Sequence, residues 1–189
     1  MALRPQGRAA PEKRLIRLDD ATIATERLSL EPLRADDAEE MVEVLVDERL
    51  YTFIGGPLRS PDEVRARYGL LAAGSGKPDE VWLNWIARRR SDSRPVGTMQ
   101  ATVKDAAGGW TAHIAWLIGV PWQNQGLASE AAVALVEWLR SRGIEDIRAN
   151  IHPEHAASEA VAARAGLEPT DDEVDGERVW RADSARRRP

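Results

Sequence analysis

Ile114-Ala115-Trp116-Leu117-Ile118-Gly119-Val120-Pro121-Trp122-Gln123-Asn124-Gln125-Gly126-Leu127-Ala128-Ser129-Glu130 is the stretch that decides how this chain is read. A strand runs into a short polar loop with one glycine, Gly126, and a long helix follows. The first amides of a helix have no partner within it. The helix dipole favours an anion at the same place. A phosphate therefore sits well there. Gly126 allows a ligand close to the backbone, and small Ala128 keeps the first turn open. No Gly-Lys-Ser/Thr follows, so the P-loop pattern is absent, and so is the dinucleotide-binding glycine pattern.

Moving outward from this loop, Leu127–Arg142 carries Val133, Leu135, Val136 and Leu139 at helical spacing and stops at Gly143. Upstream, Val81–Arg88, Pro95–Lys104 and Trp110–Gly119 form three strand candidates, with turns at Ser91–Arg94 and Asp105–Gly109. They predict an antiparallel meander. Earlier still, Thr25–Leu33 alternates as a strand. Asp36 and Glu39 fit a capping box for a helix with Met41, Val42 and Leu45 on its apolar stripe. Ser60-Pro61-Asp62-Glu63 starts a second helix, which ends at Gly74. Downstream, Ile147–Ile151 is a short strand and Ala157–Ala165 a helix ended by Gly166. Leu167–Thr170 and Arg178–Arg181 are short strands joined through the acidic Asp171–Asp175 segment. The predicted order is β-α-α-β-β-β-α-β-α-β-β. That order implies an α/β fold, a mixed and mostly antiparallel sheet of about seven strands flanked by about four helices.

A chain of 189 residues suits one domain, expected over residues 23–182. Residues 1–22 and the basic tail 183–189 are expected to be flexible ends. There are no cysteines. That excludes disulfides, thiolate metal sites and a cysteine nucleophile. The net charge of −5 argues against a dedicated nucleic-acid binder. No apolar run approaches the ~18 residues of a membrane span, and the first twenty residues lack a secretory core. A cytoplasmic protein is expected, with no membrane partner.

Gln123-x-x-Gly126-x-Ala128 resembles the Gln/Arg-x-x-Gly-x-Gly/Ala signature of the GCN5-related N-acetyltransferases (GNAT superfamily), whose loop wraps the pyrophosphate of acetyl-CoA. Other landmarks fall in that family's order. Thr25-Glu26-Arg27-Leu28 with Asp36-Asp37-Ala38 looks like the opening of the ribosomal-protein N-terminal acetyltransferase branch. Val96-Gly97-Thr98 looks like its third strand. Ile151-His152-Pro153-Glu154-His155-Ala156-Ala157-Ser158 with Ala165-Gly166-Leu167 looks like its fifth strand and fourth helix. The resemblance spans about residues 23–182. The chain departs from the family at Gln125, where a basic residue is usual, and at His155, where Asn is frequent. It also departs at Ala162, where many members use a Tyr as general acid, and at His113, where a Glu is often the base.

The resemblance implies an acetyl-CoA-dependent N-acetyltransferase working by direct transfer to a primary amine of a small molecule or peptide N-terminus. It implies a cofactor surface of Leu117, Ile118, Val120, Gln123, Asn124, Gln125, Gly126, Leu127, Ala128, Ser129, His155 and Ser158. Ser158 would donate to the departing thiolate, the Leu117 backbone would support the oxyanion, and His113 would be the base. Helix capping is the structural role open to Ser158, and buried hydrogen bonding the one open to His113. The Tyr51–Pro57 loop is either a packed connection or an acceptor wall. Tyr51, Phe53, Trp82, Asn84 and Gln100 are the acceptor-site candidates. Trp82 and Trp85 alternate on one strand, so they face opposite ways. His152 and His155 lack the accompaniments of a metal site, and no metal is expected. An aminoacyl-tRNA donor and a non-catalytic acyl-CoA-binding module are the alternatives. A monomer or homodimer is expected.

Overall fold

A computed structural model of the chain describes residues 21–54, 60–106 and 109–182. Residues 1–20 and 183–189 of the expected ends lie outside these, as do Gly55, Gly56 and Pro57 of the aromatic-glycine loop. The elements run β1 (Ile23–Ala24), β2 (Leu28–Pro32), α1 (Ala38–Leu45), α2 (Pro61–Ala73), β3 (Glu80–Arg89), β4 (Pro95–Ala106), β5 (Gly109–Ile118), α3 (Leu127–Ser141), β6 (Asp146–Ile151), α4 (Ala156–Arg164), β7 (Leu167–Val174) and β8 (Glu177–Ala182). The strands form one sheet in the order β1-β2-β3-β4-β5-β6-β8-β7, and only β5 and β6 pair in parallel.

Eight strands stand where about seven were expected. The extra one is the two-residue β1, which pairs Ile23 with Leu30 and Ala24 with Ser29. The acidic segment is also strand: β7 continues to Val174, and Asp175-Gly176 makes the turn with φ of +53° and +83°. Asp-Gly tolerates two successive left-handed positions, which is what a two-residue hairpin needs. The predicted helix starts hold less evenly. At α2 the Ser60 hydroxyl accepts the Glu63 N–H and the Glu63 carboxylate accepts the Ser60 N–H, both at 3.2 Å. At α1 the box sits elsewhere. A 3-10 turn, Ala35–Asp37, precedes the helix, and Asp37, rather than Glu39, takes a backbone N–H, that of Arg34 at 2.7 Å. Glu39 is thereby left for an ion pair with Arg65.

Strand alternation sorts the sheet into two faces. Leu83, Trp85, Met99, Ala101, Val103, Ala112 and Ile114 lie on one and pack against Ala131, Leu135 and Leu139 of α3. Trp85 is fully buried there, edge-on to half-buried Trp138 at 5.4 Å, and its Nε1 donates to the Ala21 carbonyl. On the opposite face Ile86 packs under Met41, Val44, Val64 and Tyr68 of α1 and α2.

Farther along that second face the side chains turn polar. Register places Trp82, Thr102 and His113 in one row and Asn84, Gln100 and Ala115 in the next. The parallel joint between β5 and β6 is short, with Thr111–His113 paired to Asp146–Arg148 and no pairs beyond. From there the two strands diverge, and this opening positions the site.

Candidate active site

A cavity of about 640 Å³ occupies the opening. Its sheet wall is Ile114–Ile118 of β5 facing Ala149–Ile151 of β6. The start of α3 and the loop before it close one end. Ala157, Ser158, Val161 and Arg164 of α4 form the far wall, and Leu50, Phe53 and Ile54 cover the top. Two glycines let the sheet wall take its shape. A Cβ at Gly97 would overlap the Leu117 carbonyl and approach Ile118 Cδ1 to 2.7 Å. One at Gly119 would meet the Trp122 ring at 2.8 Å.

The loop before α3 has a defined shape. Asn124 and Gly126 both take positive φ, +58° and +77°, on either side of Gln125. Side chains tie the loop inward. Gln123 Nε2 donates to the Ile118 carbonyl at 2.9 Å, and Gln125 Nε2 to the Pro121 carbonyl at 3.2 Å. From outside, Arg27 Nη1 donates to the Gln125 carbonyl at 2.9 Å. The carboxylate of Glu130 holds Arg27, accepting its Nε at 2.6 Å and its backbone N–H at 2.7 Å. Burial pushes the Glu130 pKa up, but hydrogen bonds from Thr25 and Arg27 outweigh it and leave the carboxyl below its ordinary value.

On the α4 side, His155 occupies the N-cap position without capping through its side chain. Ser158 sits in the first turn, its N–H on the His155 carbonyl at 2.9 Å, with the residue on the cavity wall. Phe53 stacks on His155 with centroids 4.5 Å apart and lies 5.2 Å from His152. Burial first, then the neighbouring His152, lowers the His155 pKa. His152 Nδ1 accepts the Glu154 N–H. Asn150 also lines the cavity, and its Oδ1 is buried with no hydrogen-bond partner among the described residues.

The cavity thus gathers Phe53, Leu117, Ile118, Gln123, Asn124, Gly126, Leu127, Ala128, Ser129, His155 and Ser158 of the residues singled out from the sequence. Others stand apart. Val120 is in a 3-10 turn, and Gln125 turns its carbonyl to Arg27 and its side chain to Pro121. The Tyr51 hydroxyl donates to the Leu45 carbonyl. Trp82, Asn84, Gln100 and His113 lie on the polar sheet face beyond the cavity wall. Trp82 Nε1 donates to Glu80. His113 is half-buried. Burial, then the charges of Arg148 and Lys104, lowers its pKa against the opposing pull of Asp146.

Sequence reasoning missed Arg27, Asn150 and Arg164. Asn150 carried a signal, since Arg148, Asn150 and His152 alternate with Ile147, Ala149 and Ile151. Arg164 passed for an ordinary cation in the last turn of a helix. Among the described residues no His/Cys/Asp/Glu group of three could hold a metal.

Residues 27–168 match the family described as the acetyltransferase (GNAT) domain. The chain belongs to the GNAT family. Solved GNAT structures share its fold. An acetyltransferase from Bacillus anthracis superposes with a TM-score of 0.71 at 19% identity, over 88% of this chain and 100% of that one. RimL, a ribosomal L7/L12 alpha-N-protein acetyltransferase solved with coenzyme A, gives 0.72 at 15% identity, over 85% and 97%. AAC(6')-Ib, solved with paromomycin and acetyl-CoA, gives 0.65 at 21%, over 82% and 92%. No curated protein matches this GNAT chain significantly in sequence. No helix among its described residues is long and apolar enough to cross a membrane.

Proposed function

We propose that the chain transfers the acetyl group of acetyl-CoA to a primary amine of a small molecule or peptide N-terminus, directly and within a ternary complex. One observation carries this reading. A single cavity links the amide-bearing loop at the start of α3 to Ser158, which lies across from Leu117 and Ile118. The diphosphate binds at Gly126–Ser129, where helix amides and dipole favour an anion. Cationic Arg164 borders the same cavity. The pantetheine arm lies between the diverging strands, and the orphaned Asn150 Oδ1 takes an N–H from the arm or the acceptor. Such a buried acceptor costs about 1–3 kcal/mol while it goes unpaired.

The acceptor approaches from the polar sheet face, over Ala115, with Gln100, Asn84 and Trp82 beside its path. Its neutral amine attacks the thioester carbon, and backbone N–H groups near Leu117 and Ile118 support the oxyanion. As the C–S bond breaks, the Ser158 hydroxyl donates to the thiolate. The amine's proton passes to solvent or to His113. His113 is four strand residues from Leu117, about 13 Å along β5 at ~3.3 Å per residue, so we assign it the end of a water relay. An imidazole suits an α-amine of pKa ~7.9 far better than a lysine of pKa ~10.4.

Calorimetry with acetyl-CoA, then coenzyme A thiol release over a panel of amines, tests the reading. Binding followed by release with α-amines is expected. Binding without turnover on any amine makes the chain an acyl-CoA-binding module, and no binding rejects the donor.

A further inference from the structure

Gln125 stands where the family's loop usually carries a basic residue, yet a guanidinium reaches that loop from the other end of the sequence. Arg27 lies in the β1–β2 hairpin turn, where the Thr25 N–H meets the Leu28 carbonyl at 2.8 Å. That turn is fixed on three sides. The Arg90 N–H donates to the Arg27 carbonyl at 2.9 Å, and the Arg90 guanidinium holds the carbonyls of Thr25 and Glu26. Glu130, one turn into α3, accepts the Arg27 N–H and Nε and the Thr25 hydroxyl. Arg27 is therefore held on rigid elements at both ends of its side chain.

The contact that matters is the last one, Nη1 to the Gln125 carbonyl at 2.9 Å. Across a planar trans peptide the carbonyl of one residue and the N–H of the next point in opposite directions. Fixing the Gln125 carbonyl toward Arg27 turns the Gly126 N–H away from it. Gly126 lines the cavity, whereas Arg27 and Gln125 do not. The Gly126 N–H donates to no backbone carbonyl among the described residues. Arg27 Nη2 would lie 3.5 Å from a Cβ at Gly126, so the guanidinium also packs against the glycine's outer side. Gln125, whose carbonyl it holds, sits between two left-handed residues, Asn124 and Gly126.

We infer that Arg27, anchored by Glu130, is a positioning residue for the donor's diphosphate, holding the Gln125–Gly126 peptide so that the Gly126 amide faces the cavity. The inference rests on the acetyl-CoA reading above. Arg27 acts through the peptide and not as a direct phosphate ligand. A lysine there would keep the charge but lacks the planar fork whose Nε and Nη1 meet Glu130 and Gln125 in a fixed geometry.

The test compares two donors by calorimetry: acetyl-CoA, and acetyl-pantetheine, which has the same thioester and arm without the diphosphate. In Arg27→Met the acetyl-CoA dissociation constant should rise about ten-fold, the loss of roughly one charge-assisted contact. Acetyl-pantetheine affinity should stay within about two-fold. Arg27→Lys should behave like Arg27→Met. Lysine at wild-type affinity would show that charge alone suffices and overturn the brace. So would equal losses for both donors, the mark of general destabilisation, or no loss for either. If Arg27→Met does not fold, Glu130→Gln loosens the same anchor and is read by the same comparison. A wild type that fails to bind acetyl-CoA removes the donor reading itself, whereas a wild type that binds and an Arg27→Met that binds equally well removes only the brace.

Discussion

Phe53 stacks on His155, ring centroids 4.5 Å apart and planes 27° from parallel. The contact joins the α1–α2 connection to the start of α4 and roofs the cavity beside Ser158. An aromatic pair of this kind adds about 0.5–1.5 kcal/mol beyond its buried area. Phe53→Ala should open the roof over the acyl group. The ratio of kcat/KM for butyryl-CoA over acetyl-CoA should rise roughly five-fold or more, since pockets discriminate strongly by each methylene they exclude. A ratio that does not move would place the acyl group elsewhere.

Acid should weaken the fold through His113 and His155. Both have folded pKa values below the ordinary imidazole value, mainly because burial disfavours the charged ring. The unfolded chain then binds protons first as pH falls. Stability is full above pH ~6.5 and declines as pH drops through the lowered folded values. A His113→Gln, His155→Gln double variant should lose less Tm than wild type between pH 7 and pH 5. Parallel loss in both proteins would assign the acid sensitivity to other groups.

His113→Gln alone addresses the relay. The wild-type kcat/KM profile should carry an acidic limb below pH 6.5, because His113 accepts a proton only when neutral. That limb should vanish in the variant with a loss of rate. A variant with an unchanged profile would leave proton removal to solvent.

Gly97→Ala should be disproportionately harmful for one added methyl group. The Leu117 carbonyl occupies the space a Cβ would need, and backbone cannot rotate away as a side-chain tip can. Overpacking of this kind costs about 1–3 kcal/mol. It should lower Tm by several degrees and displace the cavity wall at Leu117 and Ile118, reducing kcat as well. A melt within about 1 °C of wild type would mean that β4 and β5 can part locally.

Asn150→Leu should separate stability from function. Removing the unpaired buried oxygen should leave Tm unchanged or raise it, while the KM of donor or acceptor rises. Ser158→Ala is the complementary case. The N-cap of α4 is His155 and not Ser158, so Tm should hold and kcat fall about ten-fold or more. Calorimetric affinity for acetyl-CoA should stay within about two-fold. An Asn150→Leu variant with wild-type kinetics, or a Ser158→Ala variant that only melts earlier, would return those residues to structural roles.

Local signals made the meander, both long helices and the glycine loop legible, because each depends on spacing within about fifteen residues. Ser60 and Glu63 announced α2 correctly for that reason. Asp36 did not mark α1, because four acidic residues within Asp36–Glu40 offer several possible boxes and a 3-10 turn selected Asp37. Among the site residues, Gly126, Ala128 and Ser158 were readable beside their helix starts. Arg27 was not, since its carboxylate partner lies 103 positions away and its acceptor is a backbone carbonyl, which has no sequence signature. The placement of His113 beyond the cavity wall was hidden by a different cause. Strand alternation assigns a face but not how far along that face the opening begins.

The three-residue joint between β5 and β6 makes this sheet mechanically two plates. One plate is β1 through β5 with α1 and α2 on its back, and the other is β6, β8 and β7. Each is stitched internally by long antiparallel ladders, up to the ten paired positions between β4 and β5. Across the seam the load falls on the packing of α3 and α4, a Thr111–Asp146 side-chain hydrogen bond at 3.1 Å, and the Phe53 ring against His152 and His155. Such a plate is a natural unit of sub-global opening, so amides of the β6–β8–β7 plate should exchange with solvent sooner than those of β3–β5. A molecule wedged in the seam would act as a rivet, drawing the two plates into one cooperative body.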